Sequence, residues 1–145
     1  MILIIVTVVL FLDQFTKFLA VSFLQLNTPV GLIKNFLYLT LVHNRGAAFG
    51  IFKNQLPVFV LISIFAIALI FYHLKNKKNS ILSDISLSLI AAGAIGNLID
   101  RLRFGFVIDF LDLRVWPVFN LADSAITIAA LLLSWELLSF KKNAA

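Results

Sequence analysis

N-L-I-D-R-L-R-F-G-F-V-I-D-F-L-D-L-R-V-W-P-V-F-N-L-A-D-S, residues 97–124, carries four of the chain's seven carboxylates. It lies between two apolar segments long enough to sit in a lipid bilayer. Asp109 falls inside an apolar run, with Phe106, Val107 and Ile108 before it and Phe110 and Leu111 after it. Asp123 sits one turn into the hydrophobic segment that follows. An ionisable group at a membrane boundary is costly unless it faces protein interior or a wet cavity, which makes both acids functional candidates. Two carboxyls brought together there can share one proton, because like charges a few Å apart cannot both ionise. That is the chemistry of an aspartyl protease, here placed at a membrane surface.

The whole composition agrees with a membrane setting. Of 145 residues 61% are hydrophobic and 13% charged, and the mean hydropathy is +1.03. Soluble domains are nearer half apolar and a quarter charged, so an integral membrane protein is expected, folded as one domain over residues 1–145. The net charge of +5 comes with basic clusters at Lys75, Lys77, Lys78 and at Lys141, Lys142. They flank apolar segments and read as topology signals, so no nucleic-acid partner is expected. There are no cysteines, and His43 and His73 are too far apart to form a ligand motif, so no metal and no cofactor are expected.

Outward from residues 97–124, the segment before them spans about 81–101 and the segment after about 119–140. The first contains A-A-G-A-I-G, residues 91–96, small enough for close helix packing in lipid. Asn97, Asp100 and Arg101 follow at its outer end, more polar groups than packing requires. Asp100 beside Arg101 reads as a structural ion pair, and Asp112 as a solvated interfacial acid. Asn120 and Asp123 are three positions apart, hence on one side of a first helical turn, and Ser124 and Thr127 continue a polar stripe. A third span runs over 56–74, just enough to cross a hydrocarbon core of ~30 Å, with Pro57 suited to its first turn. The fourth is residues 1–24, read as a retained helix because no basic residue precedes its hydrophobic run. In it Asp13 and Lys17 are four positions apart, an acid N-terminal to a base on one face.

The connection 25–55 has turn chemistry at residues 27–31 and then F-L-Y-L-T-L-V, residues 36–42, aromatic and β-branched and too short to span as a helix. A strand on the membrane surface is expected there. H-N-R-G-A-A-F-G, residues 43–50, follows: Gly46, Ala47, Ala48 and Gly50 permit close backbone approach, and Asn44 and Arg45 supply donors. The alternative is a plain turn leaving a strand. Four crossings and the basic clusters put both termini in the cytoplasm. The 25–55 and 102–118 connections, with Asn97, Arg101, Asp109, Asn120 and Asp123, then share the outer face. Arg45, Lys53, Arg101, Arg103 and Arg114 lie near that face against the usual bias, and read as site residues rather than topology signals.

D-Q-F-T-K (13–17), N-R-G-A-A-F-G (44–50), G-N-L-I-D-R (96–101), V-I-D-F (107–110) and F-N-L-A-D-S (119–124) closely resemble the motifs of bacterial lipoprotein signal peptidase, signal peptidase II. They occur in that family's order, from first helix to last. The resemblance implies a mainly α, polytopic membrane protein of four transmembrane helices with a small extracytoplasmic β-cradle between helices 1 and 2. It implies an endopeptidase of the bacterial cytoplasmic membrane that removes signal peptides from diacylglyceryl-modified prolipoproteins, cutting just before the lipid-bearing cysteine. Its catalytic aspartates correspond to Asp109 and Asp123, and its polar site residues to Asp13, Lys17, Asn44, Asn97, Arg101 and Asn120. Membrane lipid and prolipoproteins are the expected partners, and a monomer is expected. Two departures stand out: Ala92 where many members have glycine, and only fourteen positions between the two aspartates, which implies a trimmed intervening loop.

Other chemistries fit less well. Ser–His catalysis would need His43 or His73, and Ser–Lys catalysis would need Ser124 with Lys17, which nothing in the sequence pairs. Two carboxylates suffice, one deprotonating water and the other protonating leaving groups. A proton- or cation-conducting protein would also place acids in a membrane, but would string them through its depth rather than gather them at one face. A purely structural subunit leaves the Asn–Asp constellation unexplained.

Overall fold

The computed structural model describes residues 1–46, 55–76 and 80–143, with the side chains of 76 and 140–143 outside that description. Ala47, Ala48, Gly50, Lys53, Lys77 and Lys78, and the side chains of Lys141 and Lys142, therefore lie outside the described residues. Among the described residues, four helices are long and apolar enough to cross a membrane: α1 (Ile2–Phe23), α2 (Leu56–Asn76), α3 (Ile81–Phe104) and α4 (Leu121–Asn143). Three antiparallel strands stand beside them, β1 (Val30–Ile33), β2 (Leu37–Asn44) and β3 (Val107–Asp112), in the order β1-β2-β3. Two of these strands come from the connection between helices 1 and 2, as the resemblance implies. The third comes from the connection between α3 and α4, where residues 106–113 alternate loosely between apolar and acidic positions.

The helix ends follow from local chemistry. Ser80 caps α3, its hydroxyl accepting from the Ser83 N–H at 3.0 Å. The helix runs three residues past Arg101 and stops at Gly105, whose φ of 77° is a left-handed conformation glycine adopts without strain. The helix α4 starts at Leu121, so Asn120 precedes it as the cap instead of lying within its first turn. The Asn120 side-chain oxygen accepts from the Asp123 N–H at 2.9 Å, and Asp123 accepts from the Asn120 N–H at 3.3 Å. This reciprocal pair is a capping box, and it fixes both side chains at one helix end.

Central to the bundle is α3, which packs on α1, α2 and α4. Its small residues make that possible. A side chain at Gly93 would meet the Ala122 carbonyl at 2.5 Å, and one at Gly96 would run into the Asp13 carboxylate. Ala91 and Ala92 are fully buried in a cluster with Val6 of α1, so Ala92 is a packing residue. A second core cluster of Ala20, Leu41, Ile108 and Phe110 seats the sheet on the C-terminal end of α1. The loop after β3 turns back at once: the Leu111 N–H donates to the Phe119 carbonyl at 2.8 Å, and the Phe119 N–H to the Leu111 carbonyl at 3.0 Å. This closure brings the start of α4 against β3 despite the short spacing of the two aspartates.

Candidate active site

Asp109 projects from β3 and is 1% exposed, and Asp123 projects from the first turn of α4. Three asparagine amides hold the pair. Asn44 of β2 donates to Asp109 Oδ2 at 2.9 Å, a diagonal contact set by the register that pairs Asn44 with Val107 and Val42 with Asp109. Asn120 donates to Asp109 Oδ1 at 2.7 Å, and Asn97 of α3 donates to Asp123 Oδ1 at 2.8 Å. Asn120 also reaches Asn97 Oδ1 at 3.0 Å, so the two amides link the carboxylates into one network. Arg101 stacks over the Phe59 ring of α2 at 5.1 Å and lines the same cavity as Asn44, Asn97 and Asp123, a space of about 250 Å³.

Beneath the pair lies a sealed ionic cluster. Lys17 Nζ sits 3.0 Å from Asp13, 2.9 Å from Asp100 and 3.0 Å from Asn97 Oδ1, and is 2% exposed. The i, i+4 pairing of Asp13 with Lys17 forms as the helix spacing requires. Asp100 is a correction: it pairs with Lys17 across helices, not with its neighbour Arg101, because it lies on the buried face of α3 with Asn97. The two carboxylates also grip backbone. Asp13 Oδ1 accepts from the N–H of Ala122, the residue before Asp123, at 2.9 Å. Asp100 Oδ2 accepts from the N–H of Ile108, the residue before Asp109, at 3.1 Å. Gln14, passed over in the sequence, donates within 3.2 Å of Asp13, Asp100 and the Gly96 carbonyl. Its place one residue after Asp13, on the turn that carries Lys17, was the available signal. No buried side-chain nitrogen or oxygen among the described residues lacks a partner.

Asp112 is the second correction. It is 6% exposed, accepting from Thr40 Oγ1 at 2.7 Å and from the Arg114 N–H at 2.9 Å, rather than solvated at the interface. Its strand pairs with β2, and that pairing covers it. The other nucleophile pairings do not form. Ser124 and Thr127 hydroxyls donate back to the Asn120 and Asp123 carbonyls at 3.0 and 2.8 Å, while Lys17 is wholly engaged elsewhere. His43 stacks on Phe106 at 4.0 Å, and burial, then the Arg45 charge, push its imidazole below the usual range. Among the described residues no three His, Cys, Asp or Glu side chains group as metal ligands.

Electrostatics separate Asp109 from an ordinary surface acid. Burial first, then the neighbouring Asp123 charge, push its carboxyl up to about 7, against the opposing pull of the Asn44 and Asn120 hydrogen bonds and of Lys17. A carboxyl tuned there can hold a proton at neutral pH and release it, which suits general acid–base work.

Comparison with known proteins bears on the same chain. Lipoprotein signal peptidase of Halothermothrix orenii is 44% identical over 92% of each chain. That of Caldanaerobacter subterraneus subsp. tengcongensis is 47% identical over 97% of each. A solved bacterial membrane enzyme superimposes with a TM-score of 0.93 at 32% identity, covering 99% of this chain and 91% of its own. A second such structure gives 0.86 at 33% identity over 94% and 92%. Residues 5–139 match the family described as Signal peptidase (SPase) II, and the chain, a multi-pass membrane protein, belongs to that family.

Proposed function

We propose that this protein is an aspartic endopeptidase of the bacterial cytoplasmic membrane. It removes signal peptides from diacylglyceryl-modified prolipoproteins, cutting just before the lipid-bearing cysteine. Asp109 and Asp123 are its catalytic residues. The observation that carries this reading is the paired carboxyls on separate elements, held by Asn44, Asn97 and Asn120 beside an open cavity, with Asp109 poised at about 7.

The pair shares one proton, and Asp109, whose carboxyl burial pushes up to about 7, is assigned as its carrier. Ionised Asp123 takes a proton from a water whose oxygen attacks the scissile carbonyl carbon. A carbon–oxygen bond forms and the carbonyl electrons move onto oxygen. As the tetrahedral species collapses, the carbon–nitrogen bond breaks and Asp109 passes its proton to the leaving amine. Asn97 and Asn120 aim the carboxylates, and the Arg101 guanidinium in the same cavity offers positive charge to the oxyanion. Asn44 fixes Asp109 from the sheet. Asp13 and Lys17, expected as substrate-binding residues, are buried with Asp100 and the Ala122 N–H, and in this reading support the pair from within the protein.

Both termini are cytoplasmic in this reading, the site opens at the outer face, and the single domain works as a monomer in lipid. The test is incubation of purified protein with a diacylated prolipoprotein, followed by gel shift to the shorter form. Asp109→Asn and Asp123→Asn should each abolish the shift while the protein still inserts, because the swap keeps shape and most hydrogen bonding but removes ionisation. The double variant should be scarcely worse than either single one. Asp112→Asn, outside the cavity, should retain cleavage. Wild-type turnover by a folded Asp123→Asn protein would end the aspartyl mechanism.

A further inference from the structure

Helices α1, α3 and α4 each contribute a polar side chain to the aspartate pair or to the ionic cluster beneath it. Among the described residues α2 contributes none, and it packs on α3. It meets the site through Phe59, in its first turn, where Pro57 and Val58 are exposed and Phe59 is half-buried. The Phe59 N–H donates to the Gln55 carbonyl at 3.3 Å, which fixes the residue at the helix start. The Arg101 guanidinium carbon lies 5.1 Å from the centre of the Phe59 ring, within the reach of a cation–π attraction.

An arginine in this position needs holding. Asp109 is gripped by Asn44 and Asn120, and Asp123 by Asn97, whereas among the described residues the contact that holds the guanidinium comes from α2. Arg101 feels the charges of Asp123, Asp109 and Asp100, in that order. Opposite charges attract strongly in a poorly solvated cavity, and a long side chain left free would swing onto the pair. An ion pair with Asp123 would occupy the carboxylate that takes a proton from water. Stacked on the ring, the guanidinium keeps its charge in the cavity and leaves both aspartates to their asparagines. We propose, on the endopeptidase reading above, that Phe59 is a positioning residue: its ring face holds Arg101 off the aspartate pair and toward the developing oxyanion. Leucine would fill much of the same space but has no negative ring face. The stack is also the means by which α2 takes part in the chemistry.

The test uses full-length protein in lipid bicelles with a diacylated prolipoprotein. Mono-, di- and trifluorinated phenylalanine at position 59 keep the shape of the ring while draining its face of negative charge. The kcat/KM should fall stepwise along the series, to about tenfold below wild type at its end and in Phe59→Leu. Phe59→Tyr, whose ring face keeps its charge, should stay near the wild-type value. On an Arg101→Gln background, Phe59→Leu should cost nothing further. Phe104→Leu, which removes the similar stack under Arg103 outside the cavity, should leave kcat/KM unchanged. A flat fluorine series, or an equal loss from Phe59→Leu with and without Arg101, overturns the proposal and makes Phe59 a packing residue. If the wild-type protein cleaves no prolipoprotein, the endopeptidase reading fails and this role with it. A second measurement does not depend on turnover. In nitrogen-15-labelled protein the Arg101 Nε–H resonance, assigned by its loss in Arg101→Gln, should move downfield in Phe59→Leu as the ring current is removed. A resonance that stays in place overturns the stacking role and leaves the endopeptidase reading standing.

Discussion

Asp109 is a carboxyl whose burial the fold tolerates because it can stay protonated. Its folded value of about 7 stands above the ordinary 3.8, so the folded chain holds this proton more tightly than the unfolded one. The stabilisation linked to it is therefore fully present below 3.8 and is lost as pH rises through about 7. Asp109→Asn removes the titration, so the variant should lose this pH dependence and be the more stable protein above neutrality, by on the order of a few kcal/mol. Unfolding midpoints in detergent across about pH 4 to 8 measure it. A variant whose midpoint fell with pH as steeply as the wild type would show that the proton resides elsewhere. Asp112 is held outside this pair, accepting from Thr40 Oγ1 and the Arg114 N–H.

At the scale of elements, the site depends on how β3 and the start of α4 are held relative to each other. Asp100 ties β3 down through Ile108, Asp13 ties α4 down through Ala122, and Lys17 joins the two anchors. Breaking a buried pair of this kind leaves an uncompensated charge, so the whole cluster is expected to act together. Asp100→Asn keeps an acceptor for Ile108 but turns amide hydrogens toward Lys17. The strand should slacken, and a displacement near 1 Å is enough to cost on the order of 10²-fold in turnover. Steady-state kinetics on folded protein should show kcat lowered and KM nearly unchanged. A variant with a reduced unfolding midpoint but normal kcat would confine Asp100 to stability.

Across the whole molecule, three of the basic residues near the proposed outer face are locally engaged. Arg114 lies over the Tyr38 ring at 3.9 Å, Arg103 over Phe104 at 4.9 Å, and Arg101 over Phe59. Their positions then report stacking and site chemistry, leaving Lys75 with its neighbours and the C-terminal lysines to orient the chain. Single cysteines placed in this cysteine-free sequence test that orientation. With a membrane-impermeant thiol reagent on intact cells, a cysteine at Lys34 should label and one at Lys75 should not. Labelling at Lys75 would invert the topology and move the site to the cytoplasmic face.

Composition and periodicity were enough for the spans and for the Asp13–Lys17 pairing, because both are local: an apolar run of bilayer length, and one helical turn. The residues of the candidate site were legible through motif resemblance, which carries no geometry with it. Long-range pairing was hidden. Asp100 reads naturally with Arg101, but α3 turns it inward, where Gly96 lets α1 come close enough for Lys17 to reach it. Residues 107–112 become a strand only because β2 presents an open edge to them, and that same pairing buries Asp112 and aims Asn44 at Asp109. Asn120 shows both sides at once. Its spacing from Asp123 spells a capping box, yet its hold on Asp109 exists only because Phe119 pairs back onto Leu111. Sequence encodes which residues share a face; which faces meet is decided by the close approaches that small residues allow across the fold.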